Sequence, residues 1–160
     1  MRGGAGLPWR LSSVIAGLWL GGLLCVGLLA APAAFAVLER PVAGRLVGAL
    51  FAREAAASVV LGAVLMLLQR WRVRQVDATG PGSDLQGSQV DAGLLLPAGA
   101  IFCSVLGYYA LQPWMEQARA GGGPLSFGQL HAISVGFFAL KTVLVGVLAW
   151  RLSLRSASSG

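Results

Sequence analysis

The stretch that decides the fold is Leu125–Arg151, LSFGQLHAISVGFFALKTVLVGVLAWR, which holds the chain's single histidine, His131, and its single lysine, Lys141. Ser126 with Gln129 three residues on has the form of a capping box, so a helix is predicted to begin at Phe127. The run then stays apolar to Trp150, interrupted only by Ser134, Lys141, Thr142 and small residues. That is about 24 residues, enough to cross a bilayer core of roughly 30 Å at 1.5 Å per residue. Phe127, His131, Ser134, Phe138, Lys141, Val145 and Leu148 recur at three- and four-residue spacing and so share one face of that helix. An ammonium near the bilayer centre costs about 2.5–3.5 kcal/mol on insertion scales, so this face is predicted to point into a bundle and not at lipid.

The rest of the composition agrees. The chain has 160 residues, 56% hydrophobic and 11% charged, against about 25% charged in a soluble domain. Too few charges remain to cover a water-facing surface, which makes this an integral membrane protein whose solvent is the lipid bilayer. The net charge of +6 does not indicate nucleic acid, because the basic residues sit at the ends of apolar runs and no aromatic-interleaved basic patch exists.

Four apolar runs read as spans, at about 11–38, 46–69, 93–112 and 127–151, forming one transmembrane domain over 1–160. The fold class expected is all-α, a four-helix transmembrane bundle with short connectors. One mobile, Gly/Pro/Ser/Asp-rich cytoplasmic loop is expected over 70–92. Arg2 and Arg10 before the first run, with small residues near 31–36, resemble a signal peptide. The apolar stretch of roughly 20 residues exceeds the 7–15 of a signal h-region, however, so the run is read as a retained span. Pro32 is expected to kink or end it. Pro97 is expected in the first turns of the third span, where proline is tolerated. Gly17 and Gly21 in GLWLG have the small-xxx-small spacing that lets another helix approach closely.

Orientation follows from arginine. Arg2, Arg10, Arg70, Arg72, Arg74, Arg151 and Arg155 fall on one side, and only Arg40, Arg45 and Arg119 on the other. The positive-inside rule places both termini and the 70–92 loop in the cytoplasm, in an inner (plasma) membrane. Trp9–Arg10, Trp71 between Arg70 and Arg72, and Trp150–Arg151 fit interfacial anchors on that same side.

Candidate site residues come from the intramembrane polar set. Glu54 lies in the second span; with a helix beginning near Gly44 it falls within about 7 Å in depth of Lys141, a gap the lysine stem can close. The alternative is that adjacent Arg53 and Glu54 snorkel together to the interface. His131 lies near the start of its helix, either bonded to a connector carbonyl or exposed as a proton-responsive group. Ser134 is read first as a helix–helix hydrogen bond. Cys25 and Cys103 read as small hydrophobes. No CxxC, HExxH or His/Cys cluster supplies metal-ligand spacing, no phosphate-cradling loop is present, and no Ser/His/Asp set points to an enzyme. No cofactor is implied.

Trp19-x-Gly21, AAPAAF at 30–35, RPVAGRLVGALFARE at 40–54 and LHAIS at 130–134 together resemble the family of small four-span proteins named after transmembrane protein 205, also catalogued as bacterial domain of unknown function 4149. The resemblance spans roughly residues 11–152. It implies a four-helix membrane bundle and no particular chemistry. In that family the last span's histidine is often followed seven residues later by asparagine; here that position is Phe138, and Lys141 sits one turn further along. The functional expectation is an accessory or scaffold protein that packs its helices, through Gly17 and Gly21, with itself or a membrane-protein partner. The alternative is a small transporter using Glu54, Lys141 and His131.

Overall fold

A computed structural model describes residues 7–77 and 87–158. All regular structure in those residues is helical: α1 (Leu7–Leu24), α2 (Ala31–Val37), α3 (Arg40–Asp77), α4 (Gly87–Ser104), α5 (Gln112–Arg119) and α6 (Phe127–Ser158), with six-residue π-helical segments at Cys25–Ala30 and Val105–Ala110. Four runs are long and apolar enough to cross a membrane: Trp9–Val37, Arg40–Trp71, Gly93–Arg119 and Phe127–Arg155. Large apolar side chains face outward along all of them, Leu18 at 72% and Val37 at 82% exposure among them. A helix apolar on every face is a membrane span, and the chain is a multi-pass membrane protein built as a helical bundle.

The spans form a square. Consecutive spans are neighbours, and the last closes against the first, so that α6 packs between α1 and α4, and α3 between α4 and α1. The α3 and α6 backbones do not approach each other; they lie across the diagonal. Ala16, Trp19 and Leu23 from α1, Leu65 from α3, Ala100 from α4 and Val145, Leu148 and Leu152 from α6 fill the centre. Alanines at 16 and 100, fully buried, let the backbones come together as small residues do in membranes.

The helix boundaries differ from expectation in four places, each for a local reason. The second span starts at Arg40 and not near 46, with Pro41 in the first turn, where its missing N–H belongs to the unpaired set anyway. The expected 70–92 loop is shorter, because α3 continues to Asp77 and α4 resumes at Gly87; 78–86 lie outside the described residues. Pro97 consequently sits in the interior of α4, fully buried. The connector after the third span is mostly helical, α5, and turns only at Gly121 and Gly123, whose φ of +81° and +100° suit glycine.

Pro32 does not end the first span. The chain widens into the π segment first, Ala31 N–H bonding the Val26 carbonyl, and Pro32 then falls in the first turn of α2. The third span repeats this device, with a π segment followed by Pro113 in the first turn of α5. The third residue of each π segment is glycine, and each glycine meets a phenylalanine of α6. A Cβ on Gly27 would lie 2.8 Å from Phe138 Cε1, and one on Gly107 2.5 Å from Phe137 Cβ. α6 is thus locked between two widened turns by two adjacent aromatic rings.

Candidate functional site

Lys141 projects from the middle of α6 across the diagonal to Glu54 on α3. Its Nζ donates to Glu54 Oε2 at 2.8 Å and to Oε1 at 3.0 Å, with 4% and 9% of the two side chains exposed. α3 turns Phe51, Ala55, Ser58, Gly62, Leu65 and Gln69 toward the bundle, and Glu54 flanks that stripe. Ser58, one turn on, donates its hydroxyl to Glu54 Oε1, and the Trp19 indole N–H of α1 donates to Ser58 Oγ at 2.9 Å. A chain of hydrogen bonds therefore runs Trp19–Ser58–Glu54–Lys141 and ties α1, α3 and α6 together. The Phe138 ring lies 5.1 Å from Lys141 Nζ, within cation–π range, and Phe51 meets that ring edge-on at 5.2 Å.

Electrostatically the arrangement is closed. The carboxylate accepts three hydrogen bonds, the ammonium gives two and faces an aromatic ring, and the indole N–H has its acceptor. A buried pair offsets its desolvation only with such geometry and such supporting bonds. The site can hold charge and fix helix positions. A shallow crevice lies at the arginine-rich end among Trp9, Gln69, Gly93, Leu148, Arg151 and Arg155, and none of the four network residues lines it.

Of the sequence-derived candidates, Glu54 and Lys141 meet, and the snorkelling alternative for Glu54 is overturned because its carboxylate is held inside by Lys141 and Ser58. Ser134 is nearby but separate: its hydroxyl donates to the Gly107 carbonyl at 2.7 Å, a helix–helix bond to the π segment. His131 does not join them. It lies ten residues, about 15 Å, back along α6 from Lys141, is exposed, and stacks on Phe127 at 5.9 Å, while Arg119 of α5 lies 4.7 Å from that Phe127 ring. The inward stripe of α6 turns toward Leu130 at this end, and this leaves Phe127 and His131 outside it. The capping box forms as expected: Ser126 N–H donates to Gln129 Oε1 at 2.9 Å and Gln129 N–H to Ser126 Oγ at 3.3 Å. Gly17 and Gly21 are exposed, with nothing within 4 Å of an added Cβ, so they pack no helix of this bundle. Sequence reading missed Ser58 and Trp19. The signal for Ser58 was available, since it stands one helical turn from Glu54.

The fold and this site define a polytopic membrane protein with an internal polar network. Among known families, the model for a domain of unknown function (DUF4149) matches residues 14–124, and the chain belongs to that family. Trp19, Glu54 and Ser58 lie within the matched residues; Lys141 lies beyond them. No curated protein and no solved structure matches the chain.

Proposed function

We propose that this protein is a non-catalytic accessory or scaffold protein of an inner membrane, of the transmembrane protein 205-like kind, acting through helix packing with itself or a membrane partner. Both termini lie in the cytoplasm, as the arginine distribution favours. The observation that carries the reading is that the one intramembrane lysine is paired with Glu54 within the bundle while the Gly17/Gly21 face of α1 is left open. A pair so completely bonded is suited to hold three helices in register, and an open small-residue face is suited to a second helix. Native mass spectrometry of protein released gently from its own membranes tests this. A stoichiometric second protein or a discrete homo-oligomer, lost in Gly17→Leu and Gly21→Leu but kept in the doubly apolar Lys141→Met/Glu54→Leu variant, supports it.

One observation favours transport as a second reading: the Lys141–Glu54 pair stands at the centre of the bundle, where ionisable groups mark ion pathways in other membrane proteins. On that reading Lys141→Met abolishes flux in proteoliposomes while the protein still folds, and a small ligand or ion retained in native spectra is lost with it.

A further inference from the structure

Arg53 precedes Glu54, but its side chain turns the other way. It is exposed, and it makes no hydrogen bond, ion pair or ring contact with any described residue. Its depth makes this costly. The span is Arg40–Trp71, and Arg53 lies about 4 Å along the axis from its middle. The neighbouring Glu54 meets Lys141, the central residue of the span Phe127–Arg155. An unpaired guanidinium thus faces outward near the bilayer midplane, its Cα about 11 Å from the nearer edge of the hydrocarbon core. A fully extended arginine side chain, reaching roughly 6–7 Å, stops short of the headgroups from there.

No described residue is paired with Arg53. The chain's acids are Glu39, Glu54, Asp77, Asp84, Asp91 and Glu116. Glu54 is committed to Lys141. Glu39 precedes α3, about 21 Å along the chain axis from Arg53, and Asp77 ends α3, about 36 Å away. Asp91 lies in the first turns of α4, Glu116 lies in α5, and Asp84 lies outside the described residues. A second copy carries the same acids at the same depths, so it too has no spare carboxylate at this level, and a two-fold contact here would set Arg53 against Arg53. The surroundings also fit a helix and not lipid tails alone. Ala49, Ala56 and Ala57, one turn to either side, are exposed with Arg53, and such small residues let another backbone come close.

We propose that the outer face of α3 around Arg53 docks a transmembrane helix of a different protein that carries an aspartate or glutamate near its middle, paired with Arg53. This rests on the scaffold reading above and names the chemistry of the partner.

The test is photo-crosslinking of the full chain in its own membranes, with benzoyl-phenylalanine placed at Ala57 and, separately, at Leu18 on the open face of α1. The expected result at Ala57 is a discrete adduct to a transmembrane peptide of another protein containing Asp or Glu. Arg53→Met lowers it about tenfold or more, Arg53→Lys largely keeps it, and Arg53→Glu is rescued by Lys in place of the partner's acid. Arg53 makes no hydrogen bond or ion pair with any described residue, so Arg53→Met is expected to keep the fold, and unchanged unfolding in bicelles checks that. Adducts at Ala57 to phospholipid only, to a second copy, or to a protein but insensitive to Arg53→Met overturn the proposal. A protein adduct at Leu18 with none at Ala57 overturns it and leaves the scaffold reading standing. No protein adduct at either position overturns both.

Discussion

Lys141 is tolerable at mid-membrane only because every part of its charge is met, and the meeting groups come from three helices. Removing the ammonium alone strands a buried carboxylate without its counter-charge. Breaking one partner of a buried pair costs about 3–5 kcal/mol. Lys141→Met is therefore expected to lower stability by about 3 kcal/mol in SDS unfolding from bicelles, whereas Lys141→Met/Glu54→Leu lies within about 1 kcal/mol of the native chain. Additive losses in that cycle would show that the two residues do not act as a pair. Trp19→Phe keeps the ring but removes the donor to Ser58, and costs about 0.6–1 kcal/mol, the scale of one interhelical hydrogen bond. His131→Ala, at an exposed stack on Phe127, is expected to change stability by no more than about 0.5 kcal/mol. Much of this site was legible in the sequence, because a mid-span lysine needs a counter-charge and Glu54 is the only acid at a suitable depth. Trp19 was not, because an indole in an apolar run serves equally as packing, and only the backbone traces decide what its N–H meets.

At the scale of elements, the two spans that flank α6 share one plan: a helix, a π segment with glycine third, and a proline in the next turn. A π turn inserts an extra residue and so shifts the phase of everything after it. Periodicity counted at 3.6 residues through such a turn loses register, which is why neither segment was legible in the sequence, and Pro32, expected to kink or end the span, instead follows a π turn. The glycines separate into two kinds. At Gly107 an added Cβ meets the Cβ of Phe137 at 2.5 Å, a group with no freedom to move aside, so Gly107→Ala must shift α6 and is expected to cost about 1–3 kcal/mol. At Gly62 the neighbours are Ile101 Cγ1 at 2.7 Å and Cδ1 at 2.9 Å, side-chain atoms that can shift by rotation about χ1, unlike a Cβ fixed to the backbone, so Gly62→Ala costs less. At Gly17 nothing stands within 4 Å, and alanine gains about 1 kcal/mol of helix propensity. Thermal unfolding of the three variants in one lipid system is expected to rank them Gly17→Ala above the native chain, Gly62→Ala below it and Gly107→Ala lowest. Equal loss at Gly17 and Gly107 would mean that α1 already uses its outer face in the isolated protein.

The whole molecule is a ring of four consecutive spans, a topology that short connections between antiparallel helices make almost unavoidable. Four spans were legible in the sequence, but not their order around the ring, which the helix contacts show. The ring also explains why the polar network lies where it does. Adjacent helices are held by small residues and apolar contact along their length. The diagonal pair α3 and α6 have no backbone contact, so only side chains that reach the centre couple them: the Phe51–Phe138 ring pair and the Lys141–Glu54 ion pair. A structural tie across the diagonal and a transport site make opposite demands on Lys141. If the tie is the role, what matters is that the diagonal is filled and neutral, so the doubly apolar Lys141→Met/Glu54→Leu variant retains its partner or oligomer in native mass spectra at full stoichiometry. If the charge itself is used, that variant assembles equally well but loses flux in proteoliposomes. Retained assembly with lost flux moves the conclusion from scaffold to transporter, and retained assembly with no flux in either protein leaves the tie as the function of the pair.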